Sequence, residues 1–136
     1  MPQATLDLMC EHLKFLGYEI FLTEEQERRY ARHQDKVSFV LKQIDDVVKF
    51  FSRVEVRDAR AKNNMEEYLE FINTLNTDAL VTRFYKDENA NLLFVSQHLG
   101  HYDKVMFARF LELWEFDLQY LLLRKMNAEF MRFFST

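Results

Sequence analysis

His98, His101 and Asp103 bring two imidazoles and a carboxylate together at a strand-to-helix junction, and these donor types are the ones a divalent metal accepts. A structural site wants a fourth ligand, and no second cluster of Cys or His accompanies them, so surface and helix-capping roles are expected. His33 with Asp35, and Glu11 with His12, offer no more. Cys10 falls on an apolar helical stripe with Leu6, Met9 and Leu13, where a small buried thiol is expected rather than a nucleophile. Gly17 and Gly100 are the two glycines, too few for a phosphate-cradling loop or a nucleophile elbow. Asp45 and Asp46 read as turn residues. The sequence assigns no catalytic, cofactor or metal residue, and the chain is read as a non-enzyme.

Composition narrows the function classes further. At 136 residues and 49% hydrophobic content, one domain with a real core is expected. A net charge of -4 and the lack of an uninterrupted basic run argue against nucleic acid. With one cysteine no intrachain disulfide can form. The N-terminus has no basic segment followed by an apolar core, and no apolar run exceeds four residues, so a cytoplasmic protein without membrane contact is expected.

The elements that must position these residues follow from periodicity. Leu6, Met9, Cys10, Leu13 and Leu16 recur at helical spacing, and Gly17 ends that first helix. Leu8 and Phe15 lie on a second side of it, available either to a covering loop or to a partner. Tyr18 to Leu22 reads as a strand. Thr23-Glu24-Glu25-Gln26 has the form of a capping box, which favours a short helix through Arg32 over a polar excursion between strands. Its arginines, Arg28, Arg29 and Arg32, then form a solvated face neutralised by Glu24, Glu25 and Glu27.

A hairpin follows, Val37 to Lys42 and Val47 to Val56, joined at Asp45-Asp46. Val48, Phe50, Val54 and Val56 share one parity, and Phe51 interrupts the polar parity as a candidate contact. After the polar stretch Arg57 to Asn64, Met65, Tyr68, Leu69, Ile72 and Leu75 mark an amphipathic helix that Asn76 terminates. Leu80 to Lys86 and Leu92 to Leu99 form a second hairpin around residues 87–91. Gly100 leads into a final helix with no further Gly or Pro.

That last helix carries two apolar stripes. Phe107, Phe110, Leu111, Trp114, Leu118 and Leu121 form one; Val105, Met106, Leu113, Phe116, Tyr120 and Leu123 form the other. One sheet covers one stripe, so Leu113, Phe116, Tyr120 and Leu123 are expected to form a homodimer interface, with burial inside the chain as the alternative. Beyond Arg124 the phase shifts. Met126, Phe130, Phe133 and Phe134 fall on the formerly polar side, so the extension from about residue 125 either bends or leaves to cover something else.

The expected class is α+β: an antiparallel sheet of about five strands with helices at the N-terminus, middle and C-terminus, in the order α-βββ-α-ββ-α over residues 1–136. From Tyr68 to Leu99, Leu-Glu-Phe-Ile-Asn-Thr-Leu-Asn, then Thr-Arg-Phe-Tyr-Lys-Asp, then Asn-Leu-Leu-Phe-Val resembles the YbjN family, and the element order resembles the type III secretion chaperone-like fold. The resemblance implies a small, acidic, dimeric, non-enzymatic protein that binds another polypeptide along exposed apolar grooves, to which Leu8, Phe15 and Phe51 would contribute. The long charged segment 23–36 departs from the simple pattern and favours regulation over secretion. A toxin-neutralising immunity protein is the alternative, and a small metal-dependent enzyme at the His98 region ranks last.

Overall fold

The protein is described by a computed structural model covering residues 2–55 and 60–134. The expectations at Val56 and Arg57 to Ala59 lie outside the described residues. The class is α+β, with a six-stranded antiparallel sheet of order β1-β2-β3-β4-β6-β5. The chain packs as two compact units, residues 1–52 with 96–112 and residues 53–95 with 113–136.

In the first unit, α1 (Pro2–Phe15) buries Leu6, Met9, Cys10 and Leu13. It ends where Gly17 adopts φ +98°, with the Tyr18 N–H donating to the Leu13 carbonyl and the Gly17 N–H to Lys14. That paired closure needs a left-handed residue, and glycine supplies it without a Cβ clash. Strands β1 (Glu19–Leu22), β2 (Arg28–Arg32), β3 (Phe39–Ile44) and β4 (Val47–Val54) follow as an antiparallel meander. Ala31, Phe39, Leu41, Val48 and Phe50 point to one face and are buried, and α1 packs on that face.

β2 replaces the expected helix through Arg32 and raises the strand count from five to six. The capping-box reading fails because the Thr23 hydroxyl accepts from the Glu25 N–H at 3.3 Å and donates to the Arg28 carbonyl at 3.2 Å, closing a turn instead of starting a helix. The strand's alternation was hidden because one inward residue is Arg29. It is nearly buried and satisfied by the Asp7 carboxylate and the carbonyls of Gln26 and Arg28, so it is not part of a solvated face.

In the second unit, α2 (Arg60–Asn63) leads into α3 (Met65–Asp78), which buries Tyr68, Phe71, Ile72 and Leu75 and leaves Leu69 exposed. Asn76 does not end the helix. Its amide donates to the Phe84 carbonyl and accepts from the Phe84 N–H, both at 2.8 Å, fastening α3 to β5 (Arg83–Lys86). β5 pairs with β6 (Leu92–Leu99), and Phe94 lies between Phe84 and Trp114.

The expected single C-terminal helix is three segments: α4 (Lys104–Glu115), a π-helix (Phe116–Lys125) and α5 (Asn127–Phe134). The wider winding brings Asp117, Leu118, Leu121 and Leu122 inward. Asp117 is fully buried, and its carboxylate accepts the N–H groups of Leu80, Val81 and Thr82 at 2.8, 2.9 and 2.9 Å. Those residues therefore wrap an anion instead of pairing in a ladder, which is why β5 starts at Arg83 and not at Leu80. Met126 breaks the helix at φ -100°, ψ 26°, and α5 turns back so that Phe133 packs on Tyr68 and Phe71 at centroid distances of 5.1 and 5.7 Å. Of the two expectations for this segment, the bend is the outcome, and Phe133 and Phe134 are buried within the chain.

Asp117→Ala would leave three amides of the 80–82 segment without acceptors and should lower unfolding free energy by about 3 kcal/mol or more in urea titration, with Asp117→Asn costing less because one acceptor oxygen remains.

Candidate interaction surfaces

The first unit exposes an apolar pair on α1. Because Leu6, Met9, Cys10 and Leu13 face the sheet, Leu8 and Phe15 point outward, 50% and 88% exposed. Phe51 belongs to the opposite parity from Phe50 and lies on the sheet face away from α1. There its ring sits beneath the Arg28 guanidinium and the Lys49 ammonium, 5.4 and 5.9 Å from the centroid. The structure thus brings Leu8 and Phe15 onto one helix and separates Phe51 from them, so one groove cannot hold all three.

In the second unit, Phe116 and Tyr120 stack on the outside of the π-helix with centroids 4.9 Å apart and planes 25° apart, and both remain substantially exposed. Leu113 and Leu123 are half-buried beside them in sequence. Leu122, absent from both sequence stripes, is buried instead. Leu22 and Leu99 are exposed as well, each at a strand end where periodicity gives no facing.

The residues with chemical potential take structural roles. Asp103 caps α4, its carboxylate accepting the Met106 N–H at 2.9 Å. His33 Nδ1 accepts the Asp35 N–H at 3.0 Å. Burial lifts the Cys10 thiol to about 11, with Arg29 only partly opposing it, so the thiolate nucleophile is scarce at neutral pH. Among the described residues, no three metal-type side chains converge, and no helix is long and apolar enough to cross a membrane.

His12 and His98 instead flank a ring cluster. Phe107, fully buried, has His12, His98 and Tyr102 edge-on at 5.1, 5.8 and 5.8 Å, and His12 Nδ1 is 2.8 Å from the Tyr102 hydroxyl. Burial holds the His98 imidazole below its ordinary value; burial, then the Lys104 charge, does the same for His12.

The YbjN family, described as "putative bacterial sensory transduction regulator", matches residues 5–115. The chain belongs to the YbjN family. Its fold is similar to that of YbjN from E. coli, a "putative transcription regulator", at 19% identity and TM-score 0.68, covering 91% of this chain and 92% of that one. It is also similar to an uncharacterized protein from Methanothermobacter thermautotrophicus, at 13% identity and TM-score 0.63, covering 93% and 99%. No curated protein matches the sequence. The YbjN side of the resemblance is thereby shown, whereas the secretion-chaperone side rests on element order alone.

In this YbjN-family protein a histidine kept neutral by burial binds fewer protons folded than unfolded. Stability should therefore fall as pH drops from about 6.5 toward the lowered values of His98 and His12. Urea midpoints at pH 7.5 and 5.5 should show that fall, and His98→Leu should flatten it; an unchanged slope would place the titration elsewhere.

Proposed function

We propose that this YbjN-family protein is a non-enzymatic regulator that acts by binding another polypeptide through exposed apolar side chains, as a homodimer in the cytoplasm. The observation that carries the reading is the outward pair on α1: a Phe left 88% exposed one helical face away from a complete core has no packing role. Large apolar groups held rigidly on a helix gain most when a partner covers them. Family membership supports regulation, and the single buried thiol suits a reducing compartment. Dimerisation is assigned to Phe116 and Tyr120, flanked by Leu113 and Leu123, because a stacked exposed aromatic pair is the kind of anchor an isologous interface uses.

Leu8→Asp with Phe15→Asp should weaken binding of a reduced, permanently unfolded model protein by about tenfold or more, while unfolding free energy shifts by no more than about 0.5 kcal/mol. Unchanged binding would remove the α1 pair from the reading. In light scattering across a dilution series, the wild type should have the mass of a dimer, and Phe116→Glu with Leu123→Glu that of a folded monomer; a wild-type monomer at all concentrations would refute the interface.

A further inference from the structure

The face of the first-unit sheet turned away from α1 has an order that only the strand register reveals. Arg28 on β2 stands opposite Lys42 on β3, and Lys42 stands opposite Lys49 on β4. Three cations are therefore direct neighbours across three strands, within about 10 Å of one another given ordinary strand spacing, on a chain of net charge -4. Like charges placed opposite each other destabilise a sheet. The fold relieves little of this. The Glu25 carboxylate approaches Lys42 at 3.7 Å, whereas Arg28 and Lys49 share the ring of Phe51 and, among the described residues, neither meets a carboxylate.

The adjacent register row is Phe21, Tyr30, Val40 and Phe51, again direct cross-strand neighbours, with Phe21 and Tyr30 in ring contact at 6.0 Å. All four are exposed or half-buried. A cationic row thus runs alongside an aromatic and aliphatic row on an open sheet face.

We propose that this face binds an acidic, apolar segment of a polypeptide partner, its carboxylates on Arg28, Lys42 and Lys49 and its apolar side chains on the Phe21–Tyr30–Val40–Phe51 row. The inference rests on the polypeptide-binding reading above and gives the partner's chemistry. Carboxylates on a partner offset the repulsion among the three cations on binding. A nucleic-acid strand fits less well. The cationic row is three residues wide, and across the apolar row the next pair sets Glu19 opposite Arg32, one charge of each sign, so a phosphate chain extending past the row finds no continued cationic track.

The test is fluorescence anisotropy with a labelled synthetic peptide alternating Glu with Leu and Phe, beside the same peptide with Lys for Glu and a labelled single-stranded oligothymidine. The Glu peptide should bind the wild type, lose about tenfold or more in affinity to Arg28→Gln with Lys49→Gln, and weaken as salt rises from about 50 to about 500 mM. Phe51→Ala should weaken it as well. The double variant should melt no lower than the wild type, since the opposed charges are removed, which keeps a loss of binding from being a loss of fold. Equal affinity for the double variant, preference for the Lys peptide, or tighter binding of the oligothymidine would overturn the proposal. Binding kept by the Arg28/Lys49 variant but lost by the Leu8/Phe15 variant would overturn it while leaving the polypeptide-binding reading in place.

Discussion

A single buried carboxylate organises the second unit. Asp117 holds three consecutive amides, and an isolated carboxylate in so dry a place would be costly without such donors. Meeting that requirement removes Leu80 to Thr82 from the strand ladder and fixes the approach to β5. It also coincides with the change of winding at Phe116. Residues four apart share a face in an α-helix too, and the wider turn adds those five apart, so Asp117 faces inward with Leu121 and Leu122 together. The phase slip that the sequence shows beyond Arg124 is the accumulated result, and it lets Phe133 and Phe134 reach Tyr68 and Phe71.

What could be read from the sequence was whatever local periodicity controls. The burial of Leu6, Met9, Cys10 and Leu13, the Gly17 stop, the Asp45-Asp46 turn and the parity of Phe39, Leu41, Val48 and Phe50 are all dictated within a few residues, and each is found. Two of the misreadings turn on a polar residue whose partner lies outside its own element. Arg29 hides a strand because its inward side is satisfied by Asp7, 22 residues away. Asn76 has the look of a terminator until Phe84 supplies both halves of its amide pairing. Asp117 has no local sign of its role in the sequence, because its three donors lie more than 30 residues earlier.

The same distinction governs the candidate sites. Exposure of Leu8 and Phe15 follows from the helical wheel alone, once the main stripe is assigned to the core. The row of Arg28, Lys42 and Lys49 was not accessible to any local pattern, because adjacency there is set by the pairing register of three strands. Arg28 in particular looked like one of three equivalent arginines with glutamates in helical reach. In the strand it separates from Arg29 by a full sheet thickness, one turned to the core and the other to the open face.

Winding also decides which aromatics remain outside. With Asp117, Leu118, Leu121 and Leu122 taken inward, Phe116 and Tyr120, themselves four apart, have no inward position left on the same turn, and they stack on each other instead. Their exposure is thus a consequence of burying Asp117 rather than surplus hydrophobicity on a regular helix. The winding that sets the Asp117 carboxylate on the 80–82 amides is therefore also the one that leaves Phe116 and Tyr120 stacked on the outside.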